Sequence, residues 1–324
     1  MRPDQADPAR RRLLRRLALA ACWPGIGVAA HAQSQRDQGL AVLYPEVAEP
    51  FRSFFAKILD GIDEKLQVKT YKLAVPGGAD VAATVAELRR RELKVVIALG
   101  RAGLRAASAL DRGVELVGGA VMRPGEGEAR EATVLSLAPD PLLLLRRLKT
   151  LLPGVKRVSV VYSPRNSGWL LAFAQDAARQ NGLELQVQPV EDIKAALRGY
   201  QDFFARASPH DALWLPQDQV AVDESVVLPF VLQESWNRSL PLFSSTSEHV
   251  RRGVLFSLYP NNLELGRSLG ALALARLAKD NAGAHGLLPL RDVHAALNTR
   301  TATHLGVELT AQLQRGYELL VPER

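Results

Sequence analysis

From residue 39 onward, short β-branched apolar runs alternate with longer runs whose apolar positions recur every three or four residues. GLAVLYP (39–45) reads as a buried strand. EPFRSFFAKILDGIDEKL (49–66) puts Phe51, Phe54, Phe55, Ile58, Leu59, Ile62 and Leu66 at helical spacing. VKTYKLA (68–74) is a second strand. Asp80 is the expected cap of a helix reaching Leu93, with Val81, Val85 and Leu88 on one face. KVVIALG (94–100) is a third strand, and its unbroken apolar core predicts cover on both faces. A helix over 102–110 and strands over 114–121 and 132–139 complete a first block.

The cycle then restarts. PLLLLRRLKTLLPG (141–154) is a helix stopped by Pro-Gly, and KRVSVVYS (156–163) is a strand. A helix over 167–181 ends at Gly182, which suits a left-handed cap. Strands at 183–190, 211–217, 240–245 and 254–260 alternate with helices at 191–207, 225–238 and 262–279, and AGAHG (282–286) reads as a loop. Alternation of this kind predicts parallel, doubly wound sheets. The expected class is α/β, with two Rossmann-like lobes and a hinge. The N-terminal lobe spans 39–139, the C-terminal lobe 140–290, and a tail over 291–324, with a strand candidate in DVHAALN (292–298) and two short helical pieces, packs on the lobes. Ligands of such sheets sit beyond the carboxyl ends of the strands, so two facing lobes predict a cleft there.

The 324 residues carry a net charge of +7, and its placement changes its meaning. Arg2, Arg10, Arg11, Arg12, Arg15 and Arg16, set against Asp4 and Asp7, supply +4 of it. The remainder is dispersed over a mixed surface, which argues against a nucleic-acid partner. ARRRLLR (9–15) is a basic leader that resembles a twin-arginine export signal. Residues 17–30 are apolar but broken by Trp23-Pro24-Gly25, too short to span a bilayer. Ala30-His31-Ala32 offers small residues where a signal peptidase cleaves, so residues 1–32 are expected to be a signal peptide and 33–38 a linker. Leu19-Ala20-Ala21-Cys22 also fits a lipobox, which gives a lipid anchor at Cys22 as the alternative. Cys22 is the single cysteine, so no disulfide framework is expected, and a periplasmic product follows on either route.

Catalytic signatures are missing: there is no GxGxxG, P-loop, GxSxG, HExxH or paired-cysteine motif. The six histidines are scattered, so neither a metal nor another cofactor is expected, and a non-enzymatic binding role is favoured over an exported α/β enzyme. Ser244-Ser245-Thr246-Ser247 reads as a polar loop after a strand rather than a nucleophile. What remains are polar and aromatic residues where strands end, the composition of a small-molecule pocket. The candidate ligand contacts are Tyr44, Arg101, Arg123, Ser163, Asn166, Asp218 and Ser245.

Five stretches carry a family resemblance: VVIALGRAGLRAA (95–107), LLPGVKRVSVVYSPRNS (151–167), DALWLPQDQ (211–219), LPLFSSTSEHVRRGVLFSLYPNNLELGR (240–267) and LNTRTATHLGVEL (297–309). In this order and spacing the chain resembles the type I periplasmic binding proteins, specifically the substrate-binding components of ABC importers in the branch for aromatic and related amino acids. The resemblance implies a type I fold, a small amino-acid-like solute as ligand and an ABC permease as partner, with a sensor kinase or outer-membrane partner as the alternative. Two first-lobe turns depart from the family: Arg101 stands where a small hydroxyl residue is usual, and Arg123-Pro124 replaces Asp-Pro. Two arginines in those places suit a small anion through bidentate hydrogen bonds.

Overall fold

The computed structural model describes residues 39–78, 81–128, 132–279 and 285–322. The expected signal peptide, the linker, the lipobox cysteine and the Asp80 cap lie outside the described residues.

The first block runs β1 (Leu40–Glu46), α1 (Phe51–Leu66), β2 (Tyr71–Pro76), α2 (Val81–Arg89), β3 (Val95–Leu99), α3 (Gly100–Ser108), β4 (Glu115–Val121) and β5 (Thr133–Pro139). The second begins with α4 (Pro141–Leu151), β6 (Arg157–Tyr162), a 3-10 turn (Gly168–Leu170) and α5 (Leu171–Gln180). It continues through β7 (Glu184–Pro189), α6 (Ile193–Arg206), β8 (Asp211–Leu215), α7 (Val227–Asn237), β9 (Leu242–Ser244), α8 (Ser247–Arg251) and β10 (Phe256–Pro260). Then come α9 (Asn262–Leu277), β11 (Gly286–Leu290), β12 (Val293–Asn298), α10 (Thr299–His304), α11 (Ala311–Gln314) and β13 (Leu319–Val321).

Two sheets result, ordered β11-β5-β4-β3-β1-β2 and β13-β12-β10-β9-β8-β6-β7. All strand pairs are parallel except β10 with β12. The period of two along each inner strand divides its side chains between two cores. Leu40, Val42, Val95, Ile97 and Leu99 pack under α1 and α9, while Ala41, Leu43, Val96 and Ala98 pack under α2 and α3. In the second sheet, Val158, Val160 and Trp214 face α4 and α5, and Val161, Leu213 and Leu215 face α6 and α7. The lobes repeat one plan: β2-β1-β3-β4-β5 in the first has the order of β7-β6-β8-β9-β10 in the second.

Residues 262–290 depart from the expected single boundary at residue 140. β11 pairs with β5 in the first sheet, and Leu265, Leu269 and Ala273 of α9 enter the first lobe's core. The reason is close packing of α9 on α1. A Cβ on Gly61 would overlap the Leu263 carbonyl, and one on Gly266 would overlap the Ile58 carbonyl, so the two helix backbones meet where only glycine fits. The two long helices are thus exchanged. α4 leaves the first sheet and packs in the second lobe, and α9 leaves the second and packs in the first. The tail's expected strand at 292–298 forms as β12, and β12 and β13 extend the second sheet itself where the tail was expected to pack on the lobes.

The chain therefore crosses between lobes three times. Each crossing is held by backbone: Asp140 N–H donates to Leu290 C=O (2.8 Å) and Asn261 N–H to Asp292 C=O (2.9 Å). The Asp140 and Asn261 side chains cap α4 and α9, and Arg291 Nε bonds Asp140 Oδ2 at 2.9 Å. Because β5, β11 and β10 all end at these crossings, the carboxyl edges of the two sheets face one another.

Candidate functional site

In each lobe the strand order reverses at the first strand. β1 lies between β2 and β3, and β6 lies between β7 and β8. Loops leaving the two strands on either side of such a switch point diverge to opposite faces and leave a crevice between them. In the first lobe that crevice is bounded by Tyr44–Glu46 at the end of β1 and by Gly100-Arg101 after β3. In the second it is bounded by residues 163–167 after β6 and 216–219 after β8. Counted outward from the hinge, β3 occupies the same rank as β8, and β1 the same rank as β6, so the two crevices face each other.

The second-lobe lip is built around one carboxylate. Asp218 is 4% exposed and accepts five hydrogen bonds. Its Oδ2 takes Ser163 N–H (2.7 Å) and the Ser167 hydroxyl (2.6 Å). Its Oδ1 takes Asn166 Nδ2 (3.1 Å), Val220 N–H (3.0 Å) and Ala221 N–H (3.1 Å). The carboxylate staples the β6 loop to the β8 loop, and its lone pairs are committed to doing so. Beneath it the Tyr200 hydroxyl is buried without a hydrogen-bond partner, and burial, then the Asp218 charge, raise its pKa. The Gln217 side-chain oxygen is also buried without a partner.

The neighbouring β9 loop is tied in by two contacts. Trp214 Nε1 donates to Ser245 Oγ at 3.0 Å, both residues being buried. His249 Nδ1 lies 2.8 Å from Ser244 Oγ, and its Nε2 lies 3.8 Å from Glu224. Burial holds the His249 imidazole below its usual pKa, against the pull of Glu224. A serine, a histidine and a glutamate in sequence resemble a nucleophilic triad. Ser244 is completely buried, however, and its hydroxyl also contacts Leu215 C=O and Thr246 N–H. The set fixes the loop and presents no reachable nucleophile.

The seven expected contacts therefore divide. Ser163, Asn166 and Asp218 meet in one hydrogen-bonded node, and Ser245 is anchored one strand away. Ser163 is 5% exposed, and its hydroxyl has no partner among the described residues. On the first lobe, half-buried Tyr44 ends β1 and exposed Arg101 opens α3. Gly100 adopts φ +67°, and a Cβ there would come within 3.2 Å of the Pro45 ring, so the β1 and β3 ends lie close together where a glycine fits. Arg123 is placed differently: with Val134 and Leu287 it lines a groove of about 350 Å³ along β5 and β11. A larger cavity, about 410 Å³, lies under α6 over the Arg157–Asp211 pair, which marks the amino ends of β6 and β8, opposite to the cleft edge. Sequence reasoning missed Ser167, Trp214 and His249 as builders of the lip. Their partners lie 51, 31 and 5 residues away, and only His249 was near enough in sequence to Ser244 to signal its role.

No helix among the described residues is long and apolar enough to cross a membrane, and no group of three or more metal-ligating side chains occurs among them. No curated protein sequence matches the chain. Among solved structures it is similar to the ligand-free, open form of a substrate binding protein with adhesive properties from Clostridium difficile, at 16% identity and a TM-score of 0.62, covering 88% of this chain and 99% of that one. It is also similar to a conserved domain protein from Vibrio cholerae, at 17% identity and a TM-score of 0.50, covering 87% and 99%. These likenesses establish the type I periplasmic binding protein fold. The model of the ABC transporter substrate binding protein family matches residues 144–315, more than half of the sequence, and with the two-lobed architecture this shows that the chain belongs to that family.

Proposed function

We propose that the protein is an exported solute-binding protein that captures a small polar ligand between its lobes and delivers it to the permease of an ABC importer. The observation that carries this reading is the opposition of two switch-point crevices across a three-crossing hinge, in a chain of this family. A buried lip rigidified by Asp218 faces a first-lobe lip whose Arg101 is exposed and has no partner among the described residues, an arrangement suited to binding and release rather than turnover. Titration with amino acids, carboxylates and sugars is expected to raise the melting temperature and change tryptophan fluorescence for one class. A panel that moves neither signal would remove the solute-binding reading. Capture of permease subunits from solubilised membranes tests the delivery step, and capture of a sensor kinase without a permease would redirect it to signalling.

A further inference from the structure

We infer that the solute is a small anion gripped between Arg101 of the first lobe and Arg165 of the second. The inference rests on the solute-binding reading above and narrows its ligand class.

Both residues stand at the switch points, Arg101 just after β3 and Arg165 in the turn after β6. Both are exposed, and neither has an ion-pair or hydrogen-bond partner among the described residues. The acids nearest them on the second lobe are committed elsewhere. Asp218 is saturated by five donors, and Asp223 accepts from Ser225 and Val226 at the start of α7. Glu224 stands 3.9 Å from Arg252. Glu191 follows β7 at the outer edge of the sheet, away from the crevice. An ammonium group entering the cleft finds on the second-lobe lip carboxylates that already have partners, Glu248 standing 3.9 Å from Arg251 as Glu224 does from Arg252. On the first lobe Glu46, at the end of β1, is the competing charge, and it separates the two readings experimentally.

By rank Arg101 lies across from the β8 loop and Arg165 across from the β1 loop, so closure brings the two arginines to adjoining places on opposite lips. Without a ligand the two guanidiniums repel. An anion with two or more acceptor oxygens satisfies both forks and turns the repulsion into a bridge. The free Ser163 hydroxyl adds a donor on the second lobe. Binding and closure are thereby coupled through charge, and a neutral solute does not supply that coupling.

The test is isothermal titration of the protein at constant ionic strength against three classes: succinate, benzoate and inorganic phosphate; zwitterionic L-amino acids; and neutral sugars. The expected result is binding confined to the anions, with the carboxylate and phosphate arms telling which acceptor geometry is used. R101Q and R165Q should each weaken it by about tenfold or more, and E46Q, which removes the competing negative charge from the same lip, should strengthen it. Both arginines are exposed and unpaired, so unchanged urea midpoints of the variants certify folding. Binding of a zwitterion or sugar that survives R101Q and R165Q, or is lost in E46Q, would overturn the anion assignment and leave the solute-binding reading standing. An anion whose affinity R165Q does not change would overturn the two-lobe grip. Failure of all three classes to bind would take away both readings.

Discussion

Replacing Asp218 separates its two possible roles, lip staple and ligand contact. In Asp218→Ala the Ser163 N–H, the Ala221 N–H and the Ser167 hydroxyl lose their acceptor in a buried place, and Val220 N–H and Asn166 Nδ2 lose theirs nearer solvent. A buried donor left unpaired costs about 1–3 kcal/mol, and water entering the vacated volume recovers part of that. Three such donors put the destabilisation of the second lobe at about 3–5 kcal/mol. Asp218→Asn keeps the volume and one acceptor oxygen. The Ser167 hydroxyl can rotate to accept from the new amide nitrogen, while the Ser163 N–H then faces a donor. One orphan instead of three predicts about 1–3 kcal/mol.

The assay is urea unfolding at neutral pH followed by tryptophan fluorescence, since Trp214 is buried on β8, the strand that leads to Asp218. Two lobes can unfold in separate steps, so the transition is assigned by its effect on the Trp214 signal. The expected order of stability is wild type, then Asn, then Ala. A loss below about 1 kcal/mol in the alanine variant would refute the five-donor staple. If Asp218→Asn keeps wild-type stability yet abolishes solute binding, the carboxylate faces ligand and the hydrogen-bond assignment is wrong.

Three further outcomes follow from the same geometry. Gly266→Ala drives a methyl group into the Ile58 carbonyl and should destabilise the first lobe by about 2–3 kcal/mol in urea unfolding. Gly154→Ala, with open space around it, should be neutral within about 0.5 kcal/mol. Arg157→Met removes a bidentate partner, at 2.6 and 2.7 Å, from the buried Asp211 carboxylate and should cost about 2 kcal/mol by the same assay. Burial alone would raise the Asp211 pKa; the Arg157 and Ser208 hydrogen bonds outweigh it and hold it below the usual carboxylate value, so this contribution fades as acid protonates the group. His249 has the same sign. Its folded pKa is depressed, so its contribution is complete above the unfolded value of about 6.5 and is lost as pH falls below it toward the folded value. Unfolding of His249→Asn between pH 7.5 and pH 5 should show a shallower loss of stability than wild type, and an equal slope would refute the assignment.

The legible parts of the fold were those set by local periodicity. The unbroken apolar run 94–100 predicted a strand covered on both faces, and β3 is buried along its whole length. Periodicity names an element but not its partner, and so 262–279 read correctly as a helix and incorrectly as part of the second lobe. The physical cue was present in Gly61, Gly266 and Gly270, small residues that let two helix backbones touch. It becomes interpretable only once α1 and α9 are known to meet. The site shows the same division. Strand-end position picked out Ser163, Asn166 and Asp218 together. Their roles were hidden because a carboxylate that staples a loop and one that binds an ammonium look alike in sequence. The distinction lies in five donors, three of them from residues 51 to 55 positions away.

That distinction also explains why the two lips differ in chemistry. The second lobe presents hydroxyls, an amide and an arginine over a carboxylate whose lone pairs backbone and side-chain donors already occupy. It can hold its shape with or without a ligand. The first lobe, by contrast, leaves Arg101 exposed at the start of α3 with no partner among the described residues. On the proposed anion reading, the free energy that such a cation gains from a ligand shared with the other lip favours closure. The hinge is suited to transmit it. Its crossings are joined by backbone bonds at Asp140–Leu290 and Asn261–Asp292, which keep the strands in register, and no hydrogen bond from the Asp218 node reaches them. On the proposed anion reading, ligand charge shifts the balance between open and closed forms without remodelling either lobe, because the groups that would change partners lie on the lips and the groups that fix the lobes do not.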